Sequence, residues 1–304
     1  MKRISWAWWN TSLSPSGKPK DSLSQKKFAC EIVHDLLQNH GISCLALGEI
    51  SSSDLSFFAS QNDLHDYEIF DGTFKKGHLG FDTAVFFRKD TFRLTNYKYI
   101  IVASGTHRMN LATRIDLSVM DDNQIIHLFV SHWSSRLWCH ENSPDRHLIG
   151  IRLRDEIVEL DALYNGDLHA ILLGDYNDEP CDLSLSDQLL ASRDRRFVRK
   201  NPKLLYNPFC RLMGESLPHL PGKPCDSVCG SYFHSQGKVT HWRTFDQIIF
   251  SSVFLGKSKW QLNEKYTKIL PIRAFENKDS FDASLFDHYP VIGVIEKDEN
   301  HGEL

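Results

Sequence analysis

The stretch His169-Ala170-Ile171-Leu172-Leu173-Gly174-Asp175-Tyr176-Asn177-Asp178 decides how the rest of this 304-residue chain is read. Its first half is a continuous apolar run, the pattern of a strand buried on both faces. It then stops on Gly-Asp and a cluster of acids and an amide. Taken alone, Gly-Asp is ordinary turn chemistry. The same grammar recurs along the chain, however. Apolar runs end at Trp9-Asn10, Gly48-Glu49-Ile50 and Ser131-His132-Trp133, and polar clusters adjoin others at Phe245-Asp246-Gln247 and Asp287-His288-Tyr289-Pro290. Strand ends of a layered α/β fold converge in space, so these side chains are expected to share one cleft.

Working outward, strands are expected at Ile4–Asn10, Ile42–Leu47, Tyr67–Phe70, Thr83–Arg88, Tyr97–Ala103, Arg114–Val119, Ile125–His132, His169–Leu173, Phe245–Phe250 and Tyr289–Ile295. A helix capped by Ser22 or Ser24 carries Phe28, Ile32, Val33, Leu36 and Leu37 and stops at Gly41. A second covers about Asp54–Asn62. A third opens at Pro144, with Ile149, Leu153, Ile157, Leu160 and Leu163 on its apolar face. The stretch 201–240 reads as long loops. The assignment is mixed α/β with one large domain over 1–296 and a polar tail over 297–304.

Composition sets the outer bounds. Hydrophobic residues make up 41% and charged residues 24%, and the formal net charge is −4, ordinary values for a globular protein. No stretch reaches the roughly 20 apolar residues of a membrane span. Met1–Asn10 is too short for the apolar core of a signal peptide. Seven scattered cysteines argue against a disulfide framework, and a cytoplasmic location is expected. Cys225 and Cys229, flanked by His219 and His234, match no standard zinc spacing. The charge is uneven: Arg193, Arg195, Arg196, Arg199, Lys200, Lys203 and Arg211 face one acid, Asp194, with Phe197, Tyr206 and Phe209 interleaved. This window is either a solvated face or a surface for a phosphate-rich ligand.

From Asn10 to Pro290 the chain resembles the endonuclease/exonuclease/phosphatase superfamily, which includes deoxyribonuclease I, AP endonucleases, inositol-polyphosphate phosphatases and neutral sphingomyelinases. The most specific matches are Gly174-Asp175-Tyr176-Asn177 and the segment Ser284 to Pro290. The resemblance implies a four-layer αββα sandwich. It implies that Glu49, Asn10 and Asp287 hold Mg²⁺, for which Mn²⁺ can substitute, and hard oxygen ligands suit either ion. Asp175 and Asn177 match the pair that positions or deprotonates the attacking water. His288 matches the histidine beside the scissile phosphate, and Asp246 its carboxylate partner. His132 matches the second histidine of deoxyribonuclease I and the phosphatases, where AP endonucleases carry tyrosine. Asp82 is the nearest acidic partner for it, although the register is off.

Weaker matches are His132-Trp133-Ser134-Ser135-Arg136, whose Arg136 reaches either a phosphate or a surface acid, and Leu205-Tyr206-Asn207-Pro208-Phe209 and Gly230-Ser231-Tyr232-Phe233. Tyr232 and the basic residues Arg195, Arg196, Arg199 and Lys200 lie in the region whose loops rim the family's active site, which makes them candidates for substrate contact. The leading expectation is a Mg²⁺-dependent nuclease acting on DNA or RNA. The segment Ile50-Ser51-Ser52-Ser53 lacks the arginine with which deoxyribonuclease I grips the minor groove, which shifts the weight to single strands, RNA or ends. A phosphatase or phosphodiesterase on a small phosphorylated molecule or lipid headgroup is the alternative. A non-catalytic module would require a broken site position, and none is broken. Protein partners are not indicated.

Overall fold

The computed structural model describes all residues except 16–21, 62–63, 77–78, 106, 215–220, 223–228, 272–275, 278–279, 282–285 and 298–304. Two seven-stranded sheets carry the fold. The first runs in the order Trp260–Leu262, Val291–Lys297, Lys2–Asn10, Cys44–Gly48, Ala84–Arg88 and Tyr67–Asp71, with Lys268–Ile269 paired to Val291–Lys297. The second runs Ala191–Ser192, Leu205–Tyr206, Asp246–Ser251, Ala170–Asp175, Ile125–His132, His107–Val119 and Phe92–Ser104.

Alternation along the strands explains the layering, because successive side chains point to opposite faces. Ile171, Leu173, Ile248 and Phe250 join Trp6, Trp8, Ile115, Leu128 and Val130 in the larger buried cluster. Their neighbours Ala170, Leu172 and Ile249 pack in a second cluster with Ile149, Leu153, Ile157 and Leu160. Those four residues are the inner stripe of α3 (Pro144–Leu163), whose Ser143 side chain caps Arg146 N. Leu163, expected on that stripe, is the last helical residue and is exposed. On the other side, α1 (Leu23–His34) brings Ala29, Ile32 and Val33 against the first sheet, and α2 (Ser52–Gln61) adds Leu55 and Phe58. The result is a four-layer αββα sandwich. The helix expected to stop at Gly41 does so in two steps, α1 widening into a π turn over Asp35–Asn39 before Gly41 takes φ +59°.

The larger departure is the pair Phe92–Ser104 and His107–Val119, a long hairpin of which only Tyr97–Ala103 and Arg114–Val119, the later half of each arm, were expected. Much of Phe92–Ser104 is solvent-facing, so the expected alternation is replaced by a polar run. Within 201–240, short strands at Leu205–Tyr206 and Tyr232–Phe233 and a 3₁₀ turn at Pro208–Leu212 replace part of the expected loop. The last strand ends at Lys297, two residues beyond the expected Ile295, and the rest of the tail lies outside the described residues.

Strand direction gathers the polar ends. Lys2–Asn10 and Cys44–Gly48 are parallel, with Asn10 opposite Gly48. Ala170–Asp175 and Ile125–His132 are also parallel, with Asp175 opposite His132. Asp246–Ser251 is antiparallel to them, so its first residue meets Asp175. Val291 pairs with Trp8, placing His288 beside the same edge. Both sheets therefore deliver their chemistry to one end of the sandwich.

Candidate active site

Close packing at the strand ends constrains the backbone there. A Cβ on Gly174 would come 1.9 Å from Ser131 O, so the glycine before Asp175 is demanded by the neighbouring strand. A Cβ on Gly48 would lie 2.5 Å from the Trp8 ring. Beyond these strands, Ser12, Glu49 and Asn177 all adopt positive φ, near +50°. Such backbone costs about 1–3 kcal/mol per residue and persists where surrounding bonds over-determine it. Here they do: Thr11 Oγ1 and Ser14 N donate to Glu49 O, and Asn177 N donates to Asp175 Oδ1.

The side chains form one continuous series. Asp82 places both carboxylate oxygens 3.0 Å from His132 Nδ1. His132 Nε2 lies 3.8 Å from Glu49 Oε1. Asn10 Nδ2 bridges Glu49 Oε1 (3.3 Å) and Asp175 Oδ2 (3.1 Å). His288 Nε2 is 3.8 Å from Asp175 Oδ2, and its Nδ1 is 2.8 Å from Asp246 Oδ2. Trp8 Nε1 closes the series by donating to Asp246 Oδ1 at 2.7 Å. Asp287 joins from the side, its Oδ1 accepting from Ser12 Oγ at 2.7 Å.

All the expected catalytic and metal-side residues (Asn10, Glu49, His132, Asp175, Asn177, Asp246, Asp287 and His288) thus meet in one place. The off-register Asp82 also reaches His132, because the strand begins at Ala84 and Asp82 runs on beside Ile50, whose N–H bonds Asp82 O. Sequence reading missed Trp8, Ser12 and Ser231, whose Oγ accepts from Asp246 N. Trp8 was findable, since it shares a strand face with Asn10 at the two-residue period.

Burial on its own would lower both histidines, but carboxylates outweigh it. Asp82, with Glu49 and Asp175 behind it, holds His132 up at about 10. Asp246, with Asp287 and Asp175, does the same for His288, also to about 10. Both are imidazolium cations at neutral pH. Burial pushes the Glu49 carboxyl up, and the charges of His132 and His288 pull it back. Burial and the surrounding acids, Asp287 first, push Tyr232 up to about 12, so its phenol keeps its proton. Tyr232 stacks on Phe245 at 5.2 Å and leans on the His288 ring at 4.6 Å.

Asp175, Asp246 and His288 lie close enough to surround one ion. Asp246 is already satisfied by Trp8 and His288, however, and His288 Nδ1 is committed to it. Glu49 and Asp287 offer further hard oxygens with more exposure, 18% and 39% of the side chain, while Asn10 is fully buried and its Oδ1 accepts from Ser12 N. Charge points the same way. Five carboxyl groups, Glu49, Asp82, Asp175, Asp246 and Asp287, crowd this site beside two histidines, a composition that suits a cation.

Geometry decides between two pairs of open readings. Arg136 does not face a substrate phosphate: its Nε donates to Asn177 O at 2.7 Å and its terminal nitrogens engage Glu141, Asp178 and Asp182. It lies 4.8 Å above the Phe245 ring and acts as a brace under the Asn177 turn. Arg195, Arg196, Arg199 and Lys200 form α4 (Arg195–Lys200), capped by Asp194. Arg199 lies beside Gly256, past the far end of Asp246–Ser251. That strand spans about 17 Å at 3.3–3.4 Å per residue, so α4 sits at the opposite pole from Asp246. Glu264 partly neutralises it through Arg195. Cys225 and His219 lie outside the described residues.

The sequence profile of the endonuclease/exonuclease/phosphatase family matches residues 63–297. The chain belongs to the endonuclease/exonuclease/phosphatase family. Members of this family are hydrolases acting on phosphoesters. No curated protein sequence matches the chain. Its fold is similar to the human Nocturnin catalytic domain with bound sulfate (TM-score 0.62, 17% identity, 97% of this chain and 95% of that one). It is also similar to D. rerio TDP2 complexed with a single-strand DNA product (0.60, 14%, 98% and 100%). A mannosyl-6-phosphatase of Bacteroides thetaiotaomicron (0.55, 15%, 96% and 99%) shares the fold as well. A further member, an endonuclease/exonuclease/phosphatase from Bacteroides vulgatus, aligns at 0.61 and 13% identity over 98% and 100%. At such identities the likeness establishes the fold. Among the described residues, no helix is long and apolar enough to cross a membrane.

Proposed function

We propose that this family member is a divalent-metal-dependent phosphodiesterase that cuts nucleic acid by direct attack of water, within one catalytic unit spanning 1–296. The observation that carries the reading is the series Asp82–His132–Glu49–Asn10–Asp175–His288–Asp246. It sets two imidazolium ions at either end of a carboxylate-amide centre. Glu49, Asn10 and Asp287 would hold Mg²⁺ or Mn²⁺, which supplies charge neutralisation at the phosphate. Asp175, oriented by Asn10 and Asn177, takes the proton of the attacking water. The imidazolium groups of His132 and His288 offset the charge that develops on the phosphoryl oxygens and supply the proton needed by the leaving oxygen. The neutral Tyr232 phenol adds a donor on the same wall.

A second reading is favoured by one observation: the strongly basic segment α4 lies at the far pole. A cleft without that patch also suits a small phosphorylated molecule. The deciding experiment offers plasmid, linear duplex, single-stranded DNA, RNA, an inositol polyphosphate and a sugar phosphate to the protein with Mg²⁺, Mn²⁺ or EDTA. Nucleic-acid cleavage lost in EDTA, in Glu49→Gln and in Asp175→Asn upholds the nuclease. Phosphate release from the small substrates alone replaces it with the phosphatase.

A further inference from the structure

The turn after His132 presents two large apolar side chains to solvent: Leu137 is 83% exposed and Trp138 86%. Burying either would be worth about 1.5–3 kcal/mol. The turn is nevertheless held firmly. Trp138 N and Cys139 N both donate to Ser135 O, at 2.9 and 3.0 Å. The buried Arg146 donates to Ser134 O and Cys139 O, each at 2.7 Å, and to Tyr176 O at 3.3 Å. Together with the Arg136 bond to Asn177 O, this fastens the turn to the segment bearing Asp175 and Asn177. An indole on a braced turn, six residues beyond His132, loses little conformational freedom when a flat partner docks on it.

We propose that Trp138 is a stacking platform for the nucleobase of a nucleotide flanking the scissile phosphate, an assignment that rests on the nucleic-acid reading above. A base needs only a π face, and stacking of this kind is worth about 1–3 kcal/mol per base. A bilayer is the poorer occupant. Two exposed apolar residues bury little area in it, too little for stable anchoring.

The test uses the full chain with Mg²⁺ and a single-stranded DNA decamer, beside a decamer of the same length in which every base but those at the cut is replaced by an abasic unit. Trp138→Ala is expected to raise KM on the ordinary decamer about 5- to 100-fold, with kcat little changed. On the abasic decamer it stays within twofold of the unmodified protein, and Trp138→Phe retains most of the preference for bases. Equal losses on both decamers, or no loss on either, would overturn the platform while leaving the nuclease standing. A shift of tryptophan emission with phosphatidylcholine vesicles, absent with the decamer and absent in Trp138→Ala, would reassign the turn to a lipid surface. If no nucleic acid is cut and a small phosphomonoester is, the nuclease reading fails first and the platform with it.

Discussion

Trp8→Phe isolates one hydrogen bond at the back of the site. Trp8 and Asp246 are fully buried, and Trp8 Nε1 donates to Asp246 Oδ1 at 2.7 Å while Oδ2 holds His288. Phenylalanine keeps a ring against Gly48 and removes the donor. A hydrogen bond to a charged group contributes about 1.5–3 kcal/mol, and Oδ1 has no solvent to turn to, so the loss falls toward the upper end. The smaller ring leaves a void that adds roughly 1 kcal/mol. If the bond served only packing, all of this would appear as stability, a fall in Tm of roughly 5–10 °C for a chain of this size. If Asp246 must be held so that His288 meets the phosphate, part of the loss reaches the transition state. A share of about 1.5–2.5 kcal/mol corresponds to a 10- to 70-fold fall in kcat with KM nearly unchanged. The assay is steady-state cleavage of the preferred substrate at a temperature where both proteins are folded, alongside thermal denaturation. A Tm that falls while kcat stays within twofold would refute the positioning role.

Other outcomes follow from the same geometry. His132 and His288 are raised in the fold from 6.5 to about 10, so their stabilising contribution is complete below pH 6.5 and lost as the pH climbs through 10. Tm measured across pH 6–11 should fall over that window, and His288→Gln should flatten the slope; a flat profile in the unmodified protein would contradict the ion pairs. Reversing Arg195, Arg196, Arg199 and Lys200 to Glu should leave oligonucleotide kcat/KM within about threefold at 0.15 M salt, because α4 is some 17 Å away and screened over about 8 Å. A loss of tenfold or more would return the helix to the substrate path. Arg136→Ala should lower kcat about tenfold by releasing the Asn177 turn, with Arg136→Lys a poor rescue because the guanidinium engages Asn177, Glu141, Asp178 and Asp182 at once. Parity between Arg136→Ala and the unmodified protein would remove the brace from the mechanism.

How much of this was legible in the sequence depends on locality. The run ending at Gly174-Asp175 and the polar ends at Asn10, Glu49, His132 and Asp246 are local statements, in which strand pattern and terminal residue are adjacent. They determined the α/β class, the order of the elements and nearly every member of the candidate site. The hairpin over Phe92–Val119 was only half legible, because hydrophobic alternation reports burial on one face and much of its first arm faces water on both. Pairings between distant residues were not legible at all. Asp82 reaches His132 because the strand expected from Thr83 starts at Ala84 and leaves Asp82 beside Ile50, and Trp8 reaches Asp246 across the gap between sheets. The basic segment and Arg136 show the converse. Their composition suits phosphate, yet chain direction carries α4 to the far pole and neighbouring acids occupy the guanidinium. Sequence alone determined which chemistry the chain carries, since residue type and period are read along it. Tertiary structure alone decided which charges face the cleft, since that depends on strand direction, register and the layer a side chain packs against.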